Sequence, residues 1–437
     1  MPTLTFPLSR IEGHAQVVIE VREGKVFSAY FQATEFRGFE YFVSGVPAEQ
    51  MVVIAPRICG VCSAAHHVAA VKGLEDAFGV TPPPLALKIR ELLLLGQLIQ
   101  NQATSLFIFT MPDWLGSYSL LQREGSVASK EDLATLAKRA IQVRNAGTGL
   151  LKTAGGQFIH PIKVVIGGIT GGIARDRAET ALTEVTRALP VARDLFEQYW
   201  EMSVALSDRI GSWGDDSPAC YVAAVSEELP DYTGGSLRVM NTGGVIEDTF
   251  QARDFRSYFT FEETDYSYAN KTTYRGEMMR ANSLARVNMA SRMGTPLADQ
   301  YLTRFREAFG QPAHAILLFD LARGIELVYA LERAQQILAE PLDNNEVEVG
   351  YEVRDGEAYG LVEAPRGPLI HHYTIENGLI AQAEFIIPTV HNIAAIEHAL
   401  LHAANRYVST DRVDMELENA VGRVVRAFDP CIACATH

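Results

Sequence analysis

Cysteine is scarce, with five residues in a chain of 437. That density excludes a disulfide-stapled scaffold, which is short and cysteine-rich. Cations are in deficit too: 38 Lys and Arg stand against 53 Asp and Glu, a formal charge of −15. Such a chain lacks the basic face that displaces counterions from nucleic acid. It is also poorly matched to an anionic membrane surface. No apolar run approaches the roughly 18–20 residues of a membrane-spanning helix. The best, Leu92-Leu93-Leu94-Leu95, is soon followed by Gln97, Gln100, Asn101 and Gln102, so no transmembrane segment is expected. Met1-Pro2-Thr3-Leu4-Thr5 shows neither the basic nor the apolar part of a signal peptide. The expected location is the cytoplasm, unless a partner carries an export signal. Repeats, low-complexity tracts and linkers are absent.

What is present is ordinary globular material, 48% apolar and 21% charged. Length alone allows roughly two to three domains or one large one. Residues 3–35 read as strands: Val17, Ile19 and Val21 alternate, Glu23-Gly24-Lys25 turns, and Val26 to Phe31 returns. Helical patterns cover Ala64–Phe78, Leu85–Phe109, Lys130–Thr153 and Ala174–Ile210, the last with Pro190 as a kink or break. Helices are also expected over Gly294–Phe309, Ala313–Leu338 and Asn392–Val408. Residues 213–280 read as strands and loops, and Val347–Val362 as strand. His372–Pro388 reads as a hairpin around the turn dipeptide Asn377-Gly378. The sum is an α-rich α+β fold, a central bundle of long helices with small flanking sheets.

Four of the five cysteines form two Cys-x-x-Cys pairs, Cys59/Cys62 and Cys431/Cys434, leaving Cys220 alone. In a large chain such pairs bind metal or do redox chemistry. The separation is 431 − 62 = 369 residues, whereas a zinc ribbon closes within a few tens. If all four thiolates meet, the whole chain must fold to bring them together. Four soft thiolates suit zinc, copper(I), an iron–sulfur cluster or nickel–iron chemistry, and spacing does not choose among these.

The surrounding residues do discriminate. The two pairs lie in Arg57-Ile58-Cys59-Gly60-Val61-Cys62-Ser63-Ala64-Ala65-His66 and Asp429-Pro430-Cys431-Ile432-Ala433-Cys434-Ala435-Thr436-His437. With them stand Arg10-Ile11-Glu12-Gly13-His14, Arg37-Gly38-Phe39-Glu40, Glu363-Ala364-Pro365-Arg366-Gly367 and Pro388-Thr389. In this set and order the chain resembles the large subunit of the nickel–iron hydrogenases, from Arg10 to its last residue. The implied organisation is a single domain over 1–437, its N-terminal β-hairpin region covering about 1–47. Relatives in respiratory complex I have lost these cysteines, and here all four are present.

The resemblance implies a nickel ion held by Cys59, Cys62, Cys431 and Cys434, with Cys62 and Cys434 bridging to an iron that carries carbon monoxide and cyanide. It implies that Cys431 takes the proton when dihydrogen is split and that Glu12 relays it. Arg57 and Arg366 would offset the sulfur charge, with Arg366 over the open metal position. Pro365 and Thr389 would line the diatomic-ligand pocket, Thr389 donating a hydrogen bond. His66 would bond a bridging thiolate, and Asp429 would belong to the canopy. Glu40, His437 and the carbonyl of about Phe385 would hold magnesium, whose preference is hard oxygen. His14, His160, His371 and His372 take the ordinary reading of satisfied core residues. One departure is Gln100-Asn101-Gln102 in place of a His-Asp-His run, so Asn101 replaces a canopy carboxylate. Pro112-Asp113-Trp114 looks more like the soluble, cytoplasmic, cofactor-coupled branch.

A cluster takes about four cysteines, and Cys220 alone remains. Electrons must therefore leave through an iron–sulfur small subunit, then further electron-transfer subunits. The acceptor is left open among NAD(P), ferredoxin, a deazaflavin and a heterodisulfide. Two other readings stand beside the enzyme: a dihydrogen sensor with the same centre and little turnover, and a structural zinc scaffold.

Overall fold

The computed structural model describes residues 3–121, 131–211, 213–226, 228–344, 346–408 and 415–437. The chain opens with a three-stranded antiparallel meander, Thr3–Pro7, Ala15–Arg22 and Lys25–Ala33. Val17, Ile19, Val21 and Phe31 are fully buried on one face, as period-two alternation requires. The expected hairpin is there, with one further strand along its edge.

Four long helices make the centre: Pro84–Trp114, Leu133–Gly155, Arg175–Leu206 and Leu318–Leu338. They pack on one another as a bundle. Leu133–Gly155 begins where the Asp132 carboxylate accepts from Thr135 N–H (2.9 Å), a standard N-cap. Lys130, the expected start of this helix, lies outside the described residues. Arg175–Leu206 runs unbroken through Pro190. The expected break there is corrected: the proline removes one backbone donor, and packing against two bundle neighbours holds the rest of the helix in line.

Pro84–Trp114 also corrects the expectation about membrane-length segments. It runs 31 residues, with a mean hydropathy of 1.3 over its most apolar 18-residue window. By length and composition it is able to cross a membrane, but 83% of that window is buried inside the molecule. Thr104–Thr110 within it is π-helical, a local expansion frequent at functional sites.

A four-stranded sheet follows, in spatial order Met279–Arg280, Cys220–Ala224, Leu237–Met240 and Ile246–Phe250. The last sheet is antiparallel: Gly356–Ala364, Gly367–Glu376 and Leu379–Ile386. Its turn is Asn377-Gly378, both with positive φ (54° and 73°). Strand begins at Gly356 instead of Val347, and the hairpin starts earlier than His372, at Gly367. This sheet packs on Ser63–Phe78, the helix that follows the first cysteine pair. Ile393–Tyr407 and Met415–Phe428 then lead to the last turn, Ile432–Ala435. The main buried apolar cluster includes residues from Leu4 to Ala435 and takes in all four paired cysteines. The molecule is thus α+β, long helices with small sheets around them.

Candidate metal centre

The first cysteine pair sits at a change of structure. A 3-10 turn, Ala55–Ile58, ends in extended backbone at Cys59, and Cys62 lies at the N-cap of Ser63–Phe78. The Cys62 N–H donates to the Cys59 sulfur (3.3 Å), so the turn already points both sulfurs one way. The second pair lies on the final turn. Ile432 N–H donates to the Glu12 carbonyl (3.2 Å), and Cys431 forms a parallel bridge with Glu12. Gly13 makes that approach possible. Its φ is +80°, and a Cβ there would stand 2.8 Å from Ile432 Cβ.

The four sulfurs converge, all within 4.8 Å of one another, and all are buried. Cys62 Sγ lies 2.7 Å from Cys434 Sγ, and Cys431 Sγ lies 2.8 Å from Cys434 Sγ. Cys59 and Cys431 are 3.4 Å apart. These separations exceed a disulfide bond of about 2.05 Å. Burial pushes the thiols of Cys62, Cys431 and Cys434 upward, while contacts from Cys431, Cys434 and Cys62 hold Cys59 well below the ordinary thiol range. Without a cation the cluster keeps most of its protons, and metal binding must release them.

Glu12 Oε2 accepts from Cys431 Sγ (3.0 Å) and from Ala433 N–H (3.1 Å). Burial raises its pKa, with the Cys59 charge adding to the rise. Glu12 is half-buried, and Gly13 and His14 beyond it are exposed. It therefore connects a buried sulfur with a segment that meets solvent. The core reading of His14 is corrected: it lies on an exposed turn between the first two strands.

On the other side is a small pocket of ≈ 10 Å³ lined by Cys62, Cys431, Cys434, Pro365, Arg366 and Thr389. Arg366 Nη2 donates to Asp429 Oδ1 (3.0 Å), and its Nε donates to the Asp429 carbonyl. Its Nη1 is buried with no partner among the described residues. Burial opposes the Arg366 charge, but Asp429 and the sulfurs outweigh it and raise the pKa. An unpartnered guanidinium N–H beside four sulfurs fits a site that receives anionic ligands on a metal. Thr389 Oγ1 accepts from Cys431 N–H (3.0 Å), leaving its own hydroxyl proton to donate.

Asn101 Nδ2 donates to Asp429 Oδ2 (3.0 Å), so Asn101 supports the Arg366–Asp429 pair. The Arg57 expectation is corrected. Its side chain is exposed, and its guanidinium donates to the Val53 carbonyl one turn back. Arg37 instead reaches the first cysteine loop, donating to the Ile58 and Arg57 carbonyls.

His66 Nε2 lies 3.4 Å from Cys434 Sγ, its Nδ1 lies 2.9 Å from His371 Nε2, and His371 Nδ1 lies 2.7 Å from Tyr373 Oη. Burial lowers the His66 pKa to about 4 and that of His371 well below its usual value, so both are neutral. A neutral imidazole donates once and accepts once. When Cys434 is a thiolate it accepts only, and the whole row must point toward it: Tyr373 to His371 to His66 to Cys434. His371 is a satisfied core residue, as expected, and it also fixes the tautomer of His66.

Sequence reasoning missed Arg286 and Glu326. Arg286 donates to Glu363 Oε1 (2.6 Å) and to the Pro365 carbonyl (2.8 Å), and pairs with Glu326. It holds the turn that aims Arg366. Only its distance in sequence from that motif concealed it.

Glu40, His437 and Phe385 also meet. Glu40 Oε1 lies 3.1 Å from His437 Nε2 and accepts from Phe385 N–H (2.8 Å). In an antiparallel strand the N–H and C=O of one residue point to the same side, so the Phe385 carbonyl faces the same edge.

Comparison with known proteins agrees with this geometry. The nickel-dependent hydrogenase model matches residues 37–146 and 226–437, and a HoxL-like model matches residues 6–36. The vhu F420-non-reducing hydrogenase of Methanococcus voltae has a chain 33% identical over 407 residues, covering 91% of this chain and 97% of that one. NAD-reducing hydrogenase HoxS subunit beta of Cupriavidus necator is 30% identical over 457 residues, covering 99% and 93%. The crystal structure of an NAD+-reducing NiFe-hydrogenase in the H2-reduced state matches with a TM-score of 0.92 at 29% identity, both chains covered in full. A NiFeSe hydrogenase of Desulfovibrio vulgaris Hildenborough shares the fold at a TM-score of 0.83 and 21% identity, covering 100% of this chain and 99% of that one. A family match over most of the chain, on residues that build a four-sulfur pocket, has one consequence: the chain belongs to the nickel-dependent hydrogenases, as a catalytic large subunit whose class is the oxidoreductases acting on hydrogen.

Proposed function

We propose that this protein splits dihydrogen heterolytically and reversibly, with Cys431 as the base and Glu12 as the first proton relay. The observation that carries this reading is the 3.0 Å contact between Cys431 Sγ and Glu12 Oε2. Cys59, Cys62, Cys431 and Cys434 would together hold a nickel–iron centre whose iron carries carbon monoxide and cyanide ligands. When bound, that metal pair supplies a Lewis-acidic centre able to take up electrons. Glu12 accepts the proton from Cys431 and passes it toward the exposed Gly13–His14 turn. Its raised pKa brings it closer to that of a thiol, which favours transfer in both directions. Arg366 Nη1 would donate to anionic ligands of that centre, and Asp429 and Asn101 hold that guanidinium in place. Pro365 and Thr389 close the pocket against water, and His66 donates to the Cys434 sulfur. Glu40, His437 and the Phe385 carbonyl would take magnesium and pin the C-terminus to the last sheet.

Electrons would leave to an iron–sulfur small subunit, then to further electron-transfer subunits, in the cytoplasm. Cys220, the one cysteine left, is buried against Glu277 (3.3 Å) and offers no cluster site. Exposed Phe36 lies against exposed Tyr41 and Tyr268, exposed Phe42 lies against Phe39, and Arg37, which contacts the first cysteine loop, covers the Phe39 ring. An apolar face beside the site suits the docking of such a partner.

Glu12→Gln tests the proton path. The expected result is unchanged carbon monoxide and cyanide infrared bands with turnover lowered about 10²-fold or more, the usual worth of a positioned acid–base group. Turnover near the parent value, with hydrogen–deuterium exchange intact, removes Glu12 from the path.

A further inference from the structure

A second group of ligating side chains lies away from the four sulfurs. His398 and His402 are four residues apart on Ile393–Tyr407, so they occupy one face, a turn apart. Their ring centroids are 4.8 Å apart. Asp215 reaches them from the segment before Cys220–Ala224. Its Oδ2 lies 3.0 Å from His398 Nδ1, and its Oδ1 lies 3.9 Å from His402 Nδ1. The three ligand atoms lie within 4.8 Å of one another. Donors around a tetrahedral ion with bonds near 2.0–2.2 Å stand about 3.3–3.6 Å apart, so small side-chain rotations close the set.

The carboxylate is held in advance. Asp215 is fully buried at its side chain, Oδ1 accepts from Ser217 N–H (2.9 Å), and Oδ2 accepts from Arg280 Nη2 (3.3 Å). Ligating carboxylates are commonly fixed by such outer hydrogen bonds. Arg280 also donates to the His314 carbonyl, so Asp215 is not the sole partner of its charge. The histidines are reachable, with side chains 38% and 56% exposed. His402 borders a cavity of ≈ 370 Å³, which leaves a fourth coordination position for water. Two imidazoles and one carboxylate suit zinc and its first-row neighbours and do not suit magnesium or calcium.

We infer that Asp215, His398 and His402 form a divalent transition-metal site of the zinc class, separate from the cysteine centre. An ion there ties the helix that follows Thr389 to the segment entering the four-stranded sheet.

The test uses the metal-loaded enzyme, whose cysteines are already occupied. It is equilibrated with Zn²⁺, freed of loose ion by gel filtration, and assayed for zinc and nickel by mass spectrometry. The expected result is one added zinc per chain, nickel unchanged, and at least a tenfold loss of zinc affinity in H398Q/H402Q. H402Q alone, at the more exposed position, gives a smaller loss and guards against misfolding. Co²⁺ taken up in place of zinc shows ligand-field bands without thiolate charge transfer. No added zinc in the parent enzyme, or equal uptake by parent and H398Q/H402Q, overturns the assignment. Thiolate charge transfer in the Co²⁺ form does so as well, by placing the ion on cysteine.

Discussion

At the scale of residues, Arg366 shows why shape matters as much as charge. Its Nε and Nη2 are committed to the Asp429 carbonyl and carboxylate, which leaves Nη1 as the group with no partner among the described residues, on a side chain that lines the pocket. A lysine carries the charge but not the planar fork. Arg366→Lys is expected to keep nickel content while lowering dihydrogen uptake with an artificial acceptor about 10²-fold, the usual cost of removing one oriented electrostatic group. Equal activity in the variant, with metal analysis also equal, shows that charge alone suffices. Much of the site at this scale was readable in sequence. Four cysteines, Glu12, Arg366, Thr389 and Asp429 sit in short motifs, and each is at the centre. Arg57 misled because adjacency to Cys59 says nothing of direction; the 3-10 turn before Cys59 leaves that side chain outside. Arg286 stayed hidden for the opposite reason, since burial and contact across 79 residues leave no local trace.

At the scale of elements, Asp113 joins three segments. It sits in the last turn of Pro84–Trp114, just past the π-helical stretch. Its carboxylate takes Arg10 (2.6 Å) from the segment before Glu12 and Arg426 (2.7 and 3.0 Å) from the helix before Asp429. One side chain thus sets the distance between the proton relay and the second cysteine pair. Asp113→Asn leaves two largely buried guanidinium groups short of charge. It should cost about 3 kcal/mol in chemical denaturation, the lower end for breaking a buried pair. A loss below about 1 kcal/mol shows that Arg10 and Arg426 find other partners.

Element boundaries were legible where local chemistry decides them and not elsewhere. Asn377-Gly378 marked its turn because two successive positive φ angles favour those residues. Pro190 suggested an interruption that bundle packing overrides. The Met415–Phe428 helix went unread, although Leu417, Val421, Val424 and Phe428 recur at helical spacing and are buried. Polar residues between them are what a one-sided surface helix requires, so this segment was legible from its periodicity and no tertiary effect hid it.

At the scale of the whole molecule, the centre takes two sulfurs from near the start of the chain and two from its end. Convergence across 369 residues could be anticipated only as a condition, because no spacing rule reaches that far. Folding brings Glu12, in the connection between the first two strands, onto the final turn, and Ser63–Phe78 onto the last sheet. A metal bound there closes a loop of nearly the entire chain. On the loop-entropy relation, such a closure is worth about 6 kcal/mol, because the cost grows only with the logarithm of length. With roughly 2.1 cal/mol/K of unfolding entropy per residue, that corresponds to a rise in Tm of about 6 °C. Calorimetry on metal-loaded and metal-free enzyme measures it, with metal content checked on the same samples. The paired substitution Cys431→Ser with Cys434→Ser removes the late ligands and should abolish the difference, although the early pair still chelates. Equal melting of loaded and metal-free parent enzyme would mean that packing alone joins the two ends. The metal would then contribute chemistry and no cohesion.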